Sequence, residues 1–232
     1  MVTIDKLGSY LLGPNDTVEN GIYVGDCRIL SNDIPDDSVD FIITDPPYPR
    51  EYLYLFEWLA ITSKRILKPG GLLITLTGNA FFDLVFGSLN RHLDFYWIGG
   101  MKHAEGQVNR FHPKQILCGW KPALWFCKGK FRKHPYIFDI FQGKRDKRFH
   151  KWGQGASWFS YYIHKLSTEE DIIFDPFCGG GTVPETCKLL GRKYLAFEIA
   201  AGAAQEARQR VSGVTPLFTL RYEQFSMDFR GS

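Results

Sequence analysis

Residues 39–44 read VDFIIT, a nearly unbroken apolar run that stops in Asp45-Pro46-Pro47-Tyr48. A run of this kind suits a strand covered on both faces, as in a parallel sheet flanked by helices on either side. Two consecutive prolines remove two backbone donors and fix two φ angles, so the chain beyond Thr44 is stiff and cannot continue a ladder. A plain surface turn would more usually recruit Gly, Asn or Ser. The corner instead holds its carbonyls and its tyrosine ring still.

The rest of the chain repeats the same logic. GIYVGDCRIL (21–30) alternates apolar residues and turns at Gly25-Asp26, a short strand with a loop at its end. LYLFEWLAITSKRIL (53–67) sets Leu55, Leu59, Thr62 and Ile66 near one helical face, and Lys68-Pro69-Gly70-Gly71 stops it. GLLITLT (71–77) is a second buried strand and FFDLVFGSLNRHL (81–93) a helix. Two strand-like pieces, 94–102 and 123–131, flank a polar middle. ASWFSYYIHKL (156–166) is an amphipathic helix, DIIFDPFCGGGT (171–182) a strand and glycine turn, VPETCKLLG (183–191) a helix, KYLAFEI (193–199) a strand and 200–211 an alanine-rich helix. The expectation is a single α/β domain over residues 1–232, a doubly wound sheet with an inserted segment near 101–151.

At 232 residues the chain is long enough for one such domain. No apolar run approaches the roughly 20 residues of a membrane helix, and no signal-peptide pattern opens the sequence. The five cysteines (27, 118, 127, 178 and 187) form no C-x-x-C pair, so they read as reduced thiols of a cytoplasmic protein. His103, His112, His134, His150 and His164 show no metal spacing with one another, so no metal is expected. Trp97, Trp120 and Trp125 are expected in the core.

The net charge of +3 conceals an asymmetry. Lys128 to Lys151 holds nine Lys/Arg and two acids, a balance of +7, which leaves −4 for everything else. His134, Tyr136, Phe138, Phe141, Phe149 and Trp152 are interleaved with that charge. A solvated loop is one reading of a charge run. Interleaved aromatics instead suit a surface that neutralises phosphates and stacks on bases.

DPFCGGGT (175–182) follows a strand and opens a helix, the place where open α/β sheets bind ligands. Gly179 and Gly181 fill the first two positions of a dinucleotide fingerprint, but Pro184 stands at the third, and no G-K-[ST] follows as in a phosphate loop. Glu198, at the end of the next strand, can accept both hydroxyls of a ribose. Glycine turn and acid together point to a nucleoside-bearing cofactor with no phosphate requirement, and S-adenosylmethionine fits. At the other corner Asp45 offers a carboxylate, Pro46 a rigid carbonyl and Tyr48 a ring face, a set suited to gripping a planar amino-base.

These motifs resemble the DNA amino-methyltransferases. TDPPY (44–48) matches their catalytic motif and DPFCGGGT (175–182) their donor motif, with GDC (25–27) and LKPGGLLI (67–74) also typical. The catalytic motif precedes the donor motif, as in the circularly permuted β group, and the resemblance covers roughly residues 20–210. It implies a Rossmann-like methyltransferase sheet in permuted order and a target-base pocket made by Asp45, Pro46, Pro47 and Tyr48. It further implies S-adenosylmethionine held by Asp175, Pro176, Phe177, Cys178, Gly179, Gly180, Gly181, Thr182, Glu198 and Ile199, with Asp26 and Cys27 near the adenine. Gln154 matches one position of a further segment near the methionine end, although the Lys-Pro usual there is missing.

The reaction implied is direct methyl transfer to an exocyclic amine, without a cysteine nucleophile; Cys178 is a small filler. The target must leave the duplex to reach such a pocket. Arg110, Lys114, Lys121, Arg132 and Arg145 are candidate contacts to bases or phosphates of the DNA partner. The short insertion predicts a short recognition site or a homodimer that shares the DNA. Adenine N6 is the favoured target because Asp45 opens the motif, with cytosine N4 as the alternative. An RNA methyltransferase and a non-catalytic nucleotide-binding module on a decayed fold are weaker readings.

Overall fold

Along the strand Val39–Thr44, Phe41 and Ile43 enter one apolar layer while Ile42 enters another, and Phe41 to Thr44 are all buried. The strand is therefore covered on both faces, as its unbroken apolar sequence requires. The computed structural model describes residues 20–103, 108–142 and 156–217. Gln154, Arg145, Phe149, His150 and Trp152 lie outside the described residues.

Within them the strands are β1 (Asn20–Val24), β2 (Val39–Thr44), β3 (Leu67–Leu76), β4 (Asp94–Lys102), β5 (Asn109–Phe111), β6 (Ile116–Cys118), β7 (Trp120–Cys127), β8 (Ile140–Gln142), β9 (Ile172–Asp175) and β10 (Lys193–Glu198). The helices are α1 (Cys27–Leu30), α2 (Tyr54–Ile66), α3 (Phe82–Asn90), α4 (Ala156–Leu166), α5 (Thr182–Leu189) and α6 (Ala201–Ser212). Eight strands form one sheet in the order β1-β10-β9-β2-β3-β7-β4-β8, and β5 pairs β6 as a separate hairpin. The first five strands of that order run parallel, and β7 is antiparallel to both β3 and β4.

Side chains from α1, α2 and α3 fill one layer and those from α4, α5 and α6 the other. Leu55, Leu59, Thr62 and Ile66 are buried along α2, the face anticipated from their spacing. In the second layer Trp125, Trp158 and Tyr162 make a buried aromatic column, with ring centroids 5.2 and 4.7 Å apart. The sheet is mixed but mostly parallel and carries helices on both faces.

From β9 the chain passes through α5 to β10 on one side; from β2 it passes through α2 to β3 on the other. The two departures in opposite directions open a crevice above the carboxyl ends of β2 and β9. This is the switch point at which open α/β sheets hold ligands.

Three local readings are corrected. Lys68-Pro69-Gly70-Gly71 lies within β3 and does not precede it. Val39 pairs with Leu67 but Phe41 with Leu72, so the surplus residues form a bulge. Gly70 turns there at φ +82°, and Pro69 loses nothing by having no N–H to pair. Trp97 and Trp120 are 51% and 39% exposed, and Trp125 alone of the three is buried. Trp97 follows a register shift in β4 between Phe95 and Trp97, and its indole N–H donates to Asp139 at 3.2 Å. The turn at Asp26 opens a short helix, because the Asp26 carboxylate accepts from the Arg28 backbone N–H and caps α1.

The 101–151 span is also not one block. Its middle supplies β7, a strand of the main sheet with Ala123 to Cys127 buried. Outside the main sheet lie the β5–β6 hairpin and the stretch from Lys128 to Asp139, after which β8 rejoins the sheet beside β4.

Candidate active site

Four neighbouring parallel strands, β1, β10, β9 and β2, end on the same side, and each ends in residues singled out in the sequence. Thr44 closes β2 and Asp175 closes β9. The Thr44 hydroxyl donates to Asp175 Oδ1 at 2.6 Å, and both side chains are buried. The Phe177 N–H donates to the same oxygen at 3.1 Å. The Asp-Pro-Pro-Tyr corner and the glycine turn are thus stapled together at their roots.

Asp175 is 3% exposed, so it lies beneath the turn and braces it. Burial pushes its carboxyl up to about 7, partly countered by the Thr44 hydroxyl, with Asp45 and Glu198 adding repulsion. Asp175 therefore still carries its proton in part near neutral pH, while Asp45 is paired with the Lys121 ammonium.

The turn itself divides its glycines between two tasks. Gly181, at φ +78°, faces α6: a β-carbon there would come within 2.7 Å of the Ala207 methyl. Gly179, at φ +49°, would carry a β-carbon into open space. One glycine brings helix and turn together, and the other leaves the mouth of the crevice clear. Cys178 is buried, which drives its thiol well above the ordinary range, so it packs and does not react. Phe177 meets the edge of Trp58 on α2 at 5.9 Å. Pro176 and Thr182 are buried, and Gly180 is partly exposed.

Glu198 ends β10 beside this turn. Its two oxygens accept from the Gly179 and Ala200 N–H groups, each at 2.9 Å. A carboxylate has about four acceptor positions, so two remain for hydroxyl donors. Its backbone carbonyl accepts from Gly25 N–H at 2.9 Å, which draws the Gly25-Asp26-Cys27 turn alongside. Asp26 is engaged by the Arg28 guanidinium at 2.6 Å, which holds its carboxyl below the usual range. Cys27 is buried among core side chains, and burial pushes its thiol up to about 12. Ile199, next to Glu198, is 71% exposed.

Across the crevice, Asp45 is half-covered and receives Lys121 Nζ at 3.3 Å. The same ammonium donates to the Tyr48 hydroxyl at 3.0 Å and lies 4.7 Å from the ring centroid. Gly78 backs Tyr48, for a β-carbon there would stand 3.2 Å from Tyr48 Cβ. Beside Tyr48 opens a cavity of about 410 Å³ between the 77–81 loop and the β5–β6 hairpin, walled by Phe81, Arg110, Leu117 and Trp120 among others. That volume lies in the range of ligand sites.

Sequence reasoning missed two supports. Arg210, on the last turn of α6, is 5% exposed. It pairs with Glu185 at 2.6 Å and donates to the Thr182 hydroxyl at 3.2 Å, fixing the first turn of α5 from behind. Nothing in its local sequence marks it. Thr44 bore a signal, its place directly before the prolines, but its partner is 131 residues away.

The candidate DNA contacts separate. Arg110 and Lys114 are exposed on the hairpin and its turn. Arg132 instead forks onto Asp171, whose side chain is 7% exposed, and donates to the Leu166 carbonyl at 2.7 Å, so it ties the segment to the sheet. Among the interleaved aromatics, Tyr136 and Phe138 are fully or largely exposed, whereas Phe141 stacks on Tyr161 at 4.5 Å. Among the described residues no His, Cys, Asp or Glu cluster could hold a metal, and no helix is long and apolar enough to cross a membrane.

The architecture is a Rossmann-like α/β sheet, a fold shared with solved methyltransferase structures. A structure of the M1.HpyAVI–SAM complex superposes with a TM-score of 0.69 at 23% identity, covering 82% of this chain and 98% of that one. PvuII DNA methyltransferase (cytosine-N4-specific) superposes at 0.73 with 17% identity, over 86% and 89%. At these identities the likeness establishes the fold alone.

The family model described as DNA methylase, of the N6/N4 methyltransferases, matches residues 142–209. In sequence, the chain is similar to the type II methyltransferase M.BamHI of Bacillus amyloliquefaciens, 26% identical over 238 residues, which are 77% of this chain and 54% of that protein. It is also similar to M.HpaI of Haemophilus parainfluenzae, 24% identical over 79% and 71% of the two chains. The match thus spans about half the length of M.BamHI.

Proposed function

We propose that this chain is an S-adenosylmethionine-dependent DNA methyltransferase that modifies the exocyclic amine of an extruded base, N6 of adenine. One observation carries the reading: the Asp-Pro-Pro-Tyr corner and the glycine turn end adjacent strands and are joined by the Thr44–Asp175 hydrogen bond. The similarity to type II methyltransferases supports the same class.

The residues present fit the donor. Gly179 leaves the crevice mouth clear, and Glu198 keeps acceptor positions for ribose hydroxyls. Ile199 offers an exposed apolar surface for the adenine ring, with the 25–27 turn beside it. When bound, S-adenosylmethionine supplies an electrophilic methyl group. Asp45 and the Pro46 carbonyl accept the two N–H bonds of the target amine, whose lone pair is otherwise delocalised into the ring. Accepting both draws the nitrogen toward a tetrahedral shape and aims its lone pair at the methyl carbon. The Asp45 carboxylate also stabilises the positive charge that develops on the nitrogen. Pro47 keeps the corner rigid and Tyr48 stacks on the base. The 410 Å³ cavity beside Tyr48 is the entry for the flipped nucleotide.

Incubation with methyl-labelled cofactor and DNA, followed by digestion to nucleosides, tests this. N6-methyladenine is the expected product. N4-methylcytosine would favour the second reading, which the likeness to the cytosine-N4-specific PvuII enzyme keeps in view. Cofactor binding with no label in DNA or RNA would favour a non-catalytic module, and label in RNA alone an RNA enzyme.

A further inference from the structure

Lys121 sits on β7, the antiparallel strand beyond β3, yet its ammonium reaches the corner made by β2. It lies 3.3 Å from Asp45 Oδ2 and 3.0 Å from the Tyr48 hydroxyl, with its side chain 14% exposed. Neutralising Asp45 would need only a lysine arriving from bulk solvent. Lys121 is instead enclosed, and it follows Trp120 and precedes Pro122, whose carbonyl accepts the Thr77 N–H at 3.0 Å. The strand fixes where the ammonium stands.

The result is an acceptor and a donor side by side, Asp45 Oδ2 and Lys121 Nζ, against the tyrosine ring. Their complement is a planar edge with a donor followed by an acceptor. Adenine presents that edge as its 6-amine and N1, and cytosine as its 4-amine and N3. Guanine and thymine show the reverse at those places, a carbonyl followed by an N–H. Resting on the methyltransferase reading above, we propose that Lys121 is a specificity-determining residue that donates a hydrogen bond to the ring nitrogen next to the target amine.

A chemical consequence follows. The lone pair of that ring nitrogen lies in the ring plane and is not delocalised, so it is the better nucleophile of the two nitrogens. Methyl transfer forms one N–C bond, breaks the S–C bond of the donor, and at the amine releases one proton to solvent. An ammonium hydrogen-bonded to the ring nitrogen occupies the competing lone pair. The Asp45 carboxylate, 3.3 Å from the ammonium, offsets its charge beside the reacting amine. Lys121 therefore both selects amino-bases and keeps the methyl group off the ring.

Once the modified base has been located by sequencing, duplexes carrying it are compared with duplexes carrying its deaza analogue, with CH in place of that ring nitrogen (1-deazaadenine or 3-deazacytosine). The wild type should lose about 10- to 100-fold in kcat/KM on the analogue, the scale of one charged hydrogen bond. Lys121→Met should lose a similar factor on the ordinary base and little more on the analogue. Its product should contain 1-methyladenine or 3-methylcytosine, which the wild type does not form. Wild-type protein unimpaired by the analogue, or losses that multiply, would overturn the assignment and leave the methyltransferase reading intact. The wild-type comparison stands alone should Lys121→Met fail to fold. Wild-type protein that labels no DNA would overturn both.

Discussion

Thr44 and Asp175, 131 positions apart, share a 2.6 Å hydrogen bond between the last residues of two adjacent central strands. The bond joins the half of the crevice proposed to hold the target to the half proposed to hold the donor. Thr44→Val keeps the shape and removes the hydroxyl, leaving a buried carboxyl short of a donor. It should cost about 1–3 kcal/mol of stability, read from urea unfolding.

Asp175 also sets a pH dependence. Its carboxyl titrates at about 7 in the folded protein against an ordinary value of 3.8, because it is buried. The folded state keeps a proton that the unfolded chain releases, so its contribution is full below about 3.8 and is lost as pH rises through about 7. Asp175→Asn should remove that slope. The excess of wild-type over Asn-variant unfolding free energy should shrink as pH rises across this window, and a constant difference would count against it.

The two glycines of the turn should fail differently. Gly181→Ala drives a methyl into Ala207 of α6, so stability should fall, seen as a lower Tm without cofactor. Gly179→Ala meets no neighbour and strains only its own φ, at about 1–2 kcal/mol, yet it places a methyl in the mouth of the crevice. Cofactor Kd by calorimetry should rise at least tenfold for Gly179→Ala, by the order of one lost close contact.

At the opposite corner, Asp45→Ala should cut methyl transfer by at least about a hundredfold, the scale of losing one electrostatic stabiliser. Cofactor affinity should stay near wild type, because the turn and Glu198 are untouched. Parallel loss of both would mean that Asp45 holds the fold.

DNA binding should separate the basic residues. Arg110→Ala and Lys114→Ala, both exposed on the hairpin, should each reduce the slope of log K against log salt by about 0.9 if they meet phosphates. Arg132→Ala should leave that slope alone and lower Tm instead, because its guanidinium is committed to Asp171 and the Leu166 carbonyl.

Much of this was legible in the chain. The apolar run 39–44 reads as a strand buried on both faces, 171–175 as a strand leading into a turn, and the Leu55, Leu59, Thr62, Ile66 spacing as one face of a helix. The glycine turn and the proline corner carried their chemistry in adjacent residues. What stayed hidden depends on distant partners. Lys68 to Gly71 looks like a stop until Val39 pairs with Leu67 and makes it a bulge. Trp97 looks like core, yet it lies half-exposed beside a register shift in β4. Lys121 reads as one of several candidate DNA contacts, since the register that brings it to Asp45 belongs to three different strands. Arg132 was expected among the DNA contacts, and its commitment to Asp171 becomes visible only once the segment is folded against the sheet.

Strands β1 and β2 are neighbours in sequence, yet β9 and β10 stand between them in the sheet. A ribosome therefore releases the first two strands well before the pair that must be threaded between them. Until residues 172–198 emerge, one edge of β1 and one of β2 lie open to any other strand that passes. Pairings so distant along the chain make for slow folding and a nascent state prone to self-association. Completion of the crevice consequently waits until β9 and β10 have emerged, and production of this protein should be sensitive to temperature and to chaperone supply.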